Sequence, residues 1–101
     1  PATSKLCERL NLNINDIDLL EFNEAFACQV LASIRALGLP DDADFINPNG
    51  GAIAFGHPLG ASGARITGTL ALQMSESGAS KGIAAMCVGV GQGVAIGLEA
   101  V

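Results

Sequence analysis

The chain has one histidine, His57, set within Asn47-Pro48-Asn49-Gly50-Gly51-Ala52-Ile53-Ala54-Phe55-Gly56-His57-Pro58-Leu59-Gly60-Ala61-Ser62-Gly63-Ala64-Arg65. Glycine opens backbone angles closed to other residues and proline fixes φ, so this segment follows a dictated path. Such a path suits the holding of one imidazole, the side chain best matched to moving protons near neutral pH. A second reactive group is Cys87, at the end of an apolar run and followed by Val88, Gly89, Val90, Gly91, Gln92 and Gly93. A free thiol ionises near pH 8.5 and is tuned by neighbouring charge and backbone dipoles. In this setting the Cys87 thiol can face a cleft at the carboxyl edge of a strand, although a cysteine ending an apolar strand is most often a small buried hydrophobe. Asn23 stands between a short apolar run and a helical pattern, where an N-cap is the ordinary role. Cys7 and Cys28 fall in helical patterns and read as structural.

The elements that must position these residues follow from periodicity and punctuation. Ala2 to Leu10 reads as a helix, with Leu6 and Leu10 on one face. Residues 11 to 18 are a polar connection, and Asp18 to Phe22 a short buried strand. Ala25 to Leu37 reads as a helix whose apolar face is Phe26, Val30, Ile34 and Leu37, stopped by Gly38 and Pro40. Phe45 and Ile46 form a brief strand, and residues 47 to 61 are irregular. A helix starts at Ser62 as N-cap and runs to Ser77, burying Ile66, Leu70 and Met74 before Gly78 closes it. Residues 83–88 and 94–98 pair as an antiparallel hairpin around Gly89, Gly91 and Gly93. The fold class is α/β with a mixed sheet and helices packed on it, without repeats or a flexible linker.

Composition excludes several functions. The 101 residues carry a net charge of −5, which disfavours nucleic-acid binding, and there is no Trp or Tyr for base stacking. The acids Asp16, Asp18, Glu21, Glu24, Asp41, Asp42 and Asp44 read mostly as solvated surface. Three cysteines without metal-type spacing suggest neither a disulfide framework nor a zinc site, so no metal is expected and a reducing, cytoplasmic compartment is the simpler inference (an organelle matrix if the source is eukaryotic). No signal peptide is visible. Residues 82 to 98 are uncharged, but their glycines read as two strands around a turn rather than a membrane span. Half of the residues are hydrophobic and only 15% are charged, against about 25% in typical domains. With a mean hydropathy of +0.44, the chain is expected to present apolar faces to another chain or domain, and a homo-oligomer is expected. Pro1 in place of an initiating Met points to a processed or partial polypeptide. The glycines at 89, 91 and 93 are not a dinucleotide fingerprint, because no helix pattern follows them, and the Gly50–Gly63 stretch lacks the Gly-Lys-Ser/Thr of a P-loop.

Three segments carry a family resemblance. Gly56-His57-Pro58 resembles the Gly-His-Pro motif of the thiolases, Asn23-Glu24-Ala25-Phe26 their Asn-Glu-Ala-Phe motif, and Cys87-Val88-Gly89 their C-terminal Cys-x-Gly motif. The three occur in family order and the likeness covers nearly the whole chain, so residues 1–101 are identified as the C-terminal portion of one thiolase-type domain, with its first strand preceding Pro1. The resemblance implies transfer of acyl groups to and from coenzyme A. It makes His57 the base that activates a nucleophilic cysteine and a donor to a thioester oxygen. Cys87 would be the base that deprotonates the α-carbon of an acyl-CoA, Gly89 would offer its N–H to a second oxyanion, and Asn23 would hold a water completing the first oxyanion hole. Coenzyme A thioesters are the implied substrates, with no further cofactor. The family's nucleophilic cysteine belongs to an N-terminal half, and none of Cys7, Cys28 and Cys87 matches its motif. Val90 stands where many thiolases have Gly, either narrowing the pocket or as a simple variant. Two alternatives remain beside this reading: a non-catalytic thiolase-like assembly module, and a thiolase-like synthase, against which the Cys87 motif argues.

Overall fold

A computed structural model describes all 101 residues. Helix α1 (Ala2–Leu10) ends where Asn11 turns left-handed, and Leu12 N–H closes on Cys7 O at 2.9 Å. A 3-10 turn over Ile14–Asp16 follows within the expected polar connection. It is held by a reciprocal cap: Asn13 Oδ1 accepts from Asn15 N–H, and Asp16 Oδ2 accepts from Asn13 N–H. Strand β1 (Leu19–Phe22) is buried along its whole length. Helix α2 (Ala27–Ala36) starts two residues later than its periodicity predicts. Phe26 is its extended N-cap residue and is 70% exposed, so it is not part of the buried face, whereas Val30 and Ile34 are.

The 47–61 segment is not wholly irregular, since a single helical turn, α3 (Ala52–Phe55), forms inside it. Helix α4 (Ser62–Ser77) has the expected bounds and buried face, but its N-cap is Ala61 rather than Ser62. The turn at Pro58–Ala61 winds into the helix one residue early, with Arg65 N–H bonding Ala61 O, which frees the Ser62 side chain for other partners. The last two strands are β2 (Lys81–Gly89) and β3 (Gln92–Glu99).

The sheet order is β1-β2-β3, with β1 parallel to β2 and β3 antiparallel to β2. The expected brief strand at Phe45–Ile46 reduces to one parallel bridge, Ile46 to Leu20, on the outer side of β1. Asp18 sets the β1–β2 register: its Oδ2 accepts from Ser80 N–H, Ser80 Oγ–H and Lys81 N–H at 2.9–3.0 Å, and these bonds hold its carboxyl below the usual range.

Alternation along the strands makes two cores. One sheet face packs Leu20, Phe22, Ile83 and Ala85 against Cys7, Val30 and Ile34 of α1 and α2. The other packs Leu19 and Ala84 against Ile66, Leu70 and Met74 of α4. Gly82 permits the closest approach of α4, since a Cβ there would lie 2.7 Å from Leu70 Cδ1 and 2.8 Å from Met74 Sδ. Val88, Val94 and Ile96 stay exposed, and no helix is long and apolar enough to cross a membrane.

Candidate active site

Because β1 and β2 run parallel, their carboxyl ends emerge at one edge of the sheet, where α/β proteins commonly place their ligands. Asn23 directly follows β1 and is fixed there by donating its N–H to Ala85 O at 2.9 Å. Cys87 lies two residues beyond Ala85 on β2, half-buried and opposite Gly93. The ladder is irregular between Cys87 and Gly89, and Gly89 takes φ +111°, so the strand turns its backbone aside at the Cys-x-Gly step.

Asn23 is not an N-cap. It precedes α2 by four residues and its side chain is buried, 1% exposed, with Nδ2 3.4 Å from His57 Nε2. On the other side of the ring, His57 Nδ1 lies 2.5 Å from Ser62 Oγ, and Ser62 Oγ–H donates to Pro58 O at 3.3 Å. Each ring nitrogen thus faces one polar side chain, Ser62 at Nδ1 and Asn23 at Nε2, and this pair of contacts fixes the orientation of the imidazole. Arg65 Nη1 donates to Gly56 O at 2.6 Å, tying the residue before His57 back to α4. Asn23 Oδ1 is buried without a partner. A buried amide oxygen in that state is a ready acceptor for a water or a substrate group.

The four residues singled out from sequence therefore divide. Asn23 and His57 are in contact. Cys87 and Gly89 stand at the same sheet edge, and the Cys87 thiol hydrogen-bonds to neither Asn23 nor His57. Cys87 instead borders a cavity of about 260 Å³ on the α1 and α2 face, with Phe22, Gln29, Met86 and Gln92 among its walls and His57 not among them. Val90 occupies the hairpin tip and is fully exposed in this chain.

Sequence reasoning missed the supporting residues. Its chemistry points Ser62 to a helix cap rather than to the imidazole. Glu21 and Glu24 read from sequence as solvated acids. Glu21 is in fact 3% exposed, and its carboxyl is pushed up to about 7 by burial and then by the charge of Glu24, with Arg65 opposing. Glu24 accepts from Asn47 Nδ2 at 3.1 Å and from Ile53 N–H at 3.0 Å. The available signal was strand alternation, which puts Glu21 on the same face as Leu19 and under α4. Cys7 is buried, and that burial pushes its thiol up; Cys28 is exposed on α2.

A family model described as the thiolase C-terminal domain matches residues 1–100. The chain is 59% identical over all 101 residues to the beta-ketoadipyl-CoA thiolase of Pseudomonas knackmussii, covering 25% of that protein. It is 52% identical to the 3-oxoadipyl-CoA/3-oxo-5,6-dehydrosuberyl-CoA thiolase of Escherichia coli, again over its whole length and 25% of the relative. It is 54% identical to the 3-ketoacyl-CoA thiolase of Colwellia psychrerythraea, covering 26% of it. The chain thus spans about a quarter of the length of the curated relatives it matches. It belongs to the thiolase family, as the C-terminal part of that family's fold.

Proposed function

We propose that this chain supplies the proton-transfer and oxyanion-stabilising groups of a thiolase active site. The observation that carries the proposal is the contact chain Asn23–His57–Ser62, in which two buried side chains hold a half-buried imidazole at the carboxyl edge of the sheet formed by β1 and the strand that bears Cys87 and Gly89. The reaction is the exchange of acyl-CoA and acetyl-CoA with 3-ketoacyl-CoA and CoA, by a ping-pong route. The nucleophilic cysteine comes from a segment outside these 101 residues. His57 Nε2 takes its proton as the thiolate attacks the thioester, and the ring, now carrying Nε2–H, donates to the thioester oxygen. The departing CoA thiolate takes that proton back from His57 Nε2–H and leaves as the thiol. In the second half, Cys87 in its thiolate form removes a proton from the α-carbon of the incoming acetyl-CoA. The carbanion attacks the acyl-enzyme, the Gly89 N–H faces the tetrahedral oxyanion, and the nucleophilic cysteine leaves as a thiolate that recovers the proton from Cys87, returning both thiols to their starting state. Asn23 holds a water on the first oxyanion.

The substrates are coenzyme A thioesters of 3-oxo acids. The names of the Pseudomonas and Escherichia coli relatives make 3-oxoadipyl-CoA the first to assay, and the Colwellia relative's name keeps the wider 3-ketoacyl class beside it. The test is thiolysis by the complete polypeptide containing this chain. His57→Asn and Cys87→Ser are each expected to lower kcat by about 10²–10⁴, the range for a positioned proton-transfer group. The 101-residue chain alone is expected to be inactive until mixed with a nucleophile-bearing partner. Wild-type rates in either variant sink the assignment. Stable self-assembly with no coenzyme A binding would favour the non-catalytic assembly module instead.

A further inference from the structure

His57 and Asn23 sit on segments with no ladder between them, 34 residues apart in sequence, yet their side chains meet. Two polar side chains bridge the segments. Asn47 acts as a stand-in strand for the end of β1: its Oδ1 accepts from Phe22 N–H at 2.7 Å and its Nδ2 donates to Phe22 O at 2.9 Å. The same Nδ2 also donates to Glu24 Oε1 at 3.1 Å. The other carboxylate oxygen, Oε2, accepts from Ile53 N–H at 3.0 Å, in the helical turn α3 that leads to His57 four residues later. Each Glu24 oxygen therefore has its own donor, both of them across the seam on the segment that leads to His57.

Local geometry leaves little freedom around this bridge. Asn47 is left-handed, φ +46°, a conformation that asparagine tolerates better than most residues. Gly51 is buried and extended, and a Cβ there would lie 2.6 and 2.8 Å from the two Glu24 oxygens, so a side chain at this position would push the carboxylate off its donors. The backbone on either side of Asn23, at Phe22 and Glu24, is thus tied to the backbone on either side of His57's approach, at Asn47 and Ile53.

The geometry points to Glu24, acting with Asn47, as a positioning residue that fixes the separation of Asn23 and His57 for the proposed proton transfer. It touches neither substrate nor reacting atoms. The role rests on the catalytic reading above. A carboxylate is needed because both donors must be satisfied at once. A glutamine of the same volume presents only one oxygen, and its NH₂ group would face either Asn47 Nδ2 or Ile53 N–H, donor against donor.

The test compares Glu24→Gln, His57→Asn and the double variant in the complete polypeptide, with active sites counted by acylation. Glu24→Gln is expected to lower kcat per active site by tenfold or more, leave KM for the CoA thioester within about twofold, and shift the acid limb of the rate profile. In the His57→Asn background the same change is expected to cost nothing, because the residue acts through the imidazole. The ¹⁵N signals of the His57 ring, read in the unacylated protein, are expected to move in Glu24→Gln. A loss confined to the number of active sites, additive losses in the double variant, or unmoved His57 signals overturns the positioning role alone. A fully active His57→Asn overturns the catalytic reading and the positioning role with it.

Discussion

Val90 is the residue to replace first. The β2–β3 hairpin is closed by two residues, Val90 and Gly91, at φ +47° and φ +73°. Positive φ at both central positions is the type I′ turn, whose preferred occupants are Asn-Gly and Asp-Gly. A β-branched residue there is strained: the left-handed conformation costs an ordinary L-residue roughly 1–2 kcal/mol, and branching at Cβ does not help. Nothing offsets this through burial, because the Val90 side chain is 101% exposed. Val90→Asn should therefore recover most of the strain, about 1 kcal/mol, or about a fivefold rise in the folded-to-unfolded ratio. With a urea slope of about 1–3 kcal/mol per molar, the midpoint should rise by about 0.3–1 M at constant slope. Val90→Gly should gain less, because glycine also raises the entropy of the unfolded chain. Val90→Ile, equally branched, should gain nothing. Urea unfolding followed by circular dichroism reads all three. A midpoint for Val90→Asn at or below wild type, or a gain in Val90→Ile, would refute the strain argument. Since the turn lies beyond Cys87 and Gly89, kcat should be unchanged.

Two further outcomes follow from the α4 face. Glu21 binds its proton more tightly folded, at about 7, than its ordinary value of 4.5. The native state thus holds the extra proton between those values, and stability is fully present below about pH 4.5 and declines as pH rises through 7. Discounted for solvent screening, the decline should be roughly 1–2 kcal/mol, and Glu21→Gln should flatten it; equal slopes between pH 5 and 8 in both proteins would refute the assignment. Gly82→Ala should destabilise by about 1–3 kcal/mol through overpacking against Leu70 and Met74, and Leu70→Ala in the same chain should restore part of the loss; simple addition of the two costs would count against the clash.

The sequence read well wherever local chemistry decides. The bounds of α1 and α4, the Ile66-Leu70-Met74 face and the closing hairpin follow from 3.6-residue spacing and glycine stops, and the structure has them. It read poorly wherever a distant partner decides. Phe26 kept its helical spacing, but the chain between Asn23 and Phe26 stays extended to reach the sheet edge, so α2 starts late and leaves the ring outside. Ser62 has ideal cap chemistry, yet an imidazole five residues upstream claims its hydroxyl. Glu21 and Glu24 look like surface acids in a list of charges. One lies beneath α4, and the other is held by donors 23 and 29 residues away, a relation that no local window contains. Of the candidate site, the motif likeness singles out the residues, and the fold brings Asn23 against His57.

The parallel pairing of β1 with β2 also sets an order in time. Strand β1 is buried over all four of its residues, but its partners arrive late: Ile46 from one side, and then residues 82 to 85 from the other. Asp18, which fixes that second pairing, waits for a backbone 63 residues further along. Closing a loop of that length comes before any reward from the contacts it permits. Asn23 is tied to that same late pairing, because the bond that fixes its backbone goes to Ala85 O on β2. The Asn23–His57 contact and the strand carrying Cys87 therefore take shape in the same late step of folding.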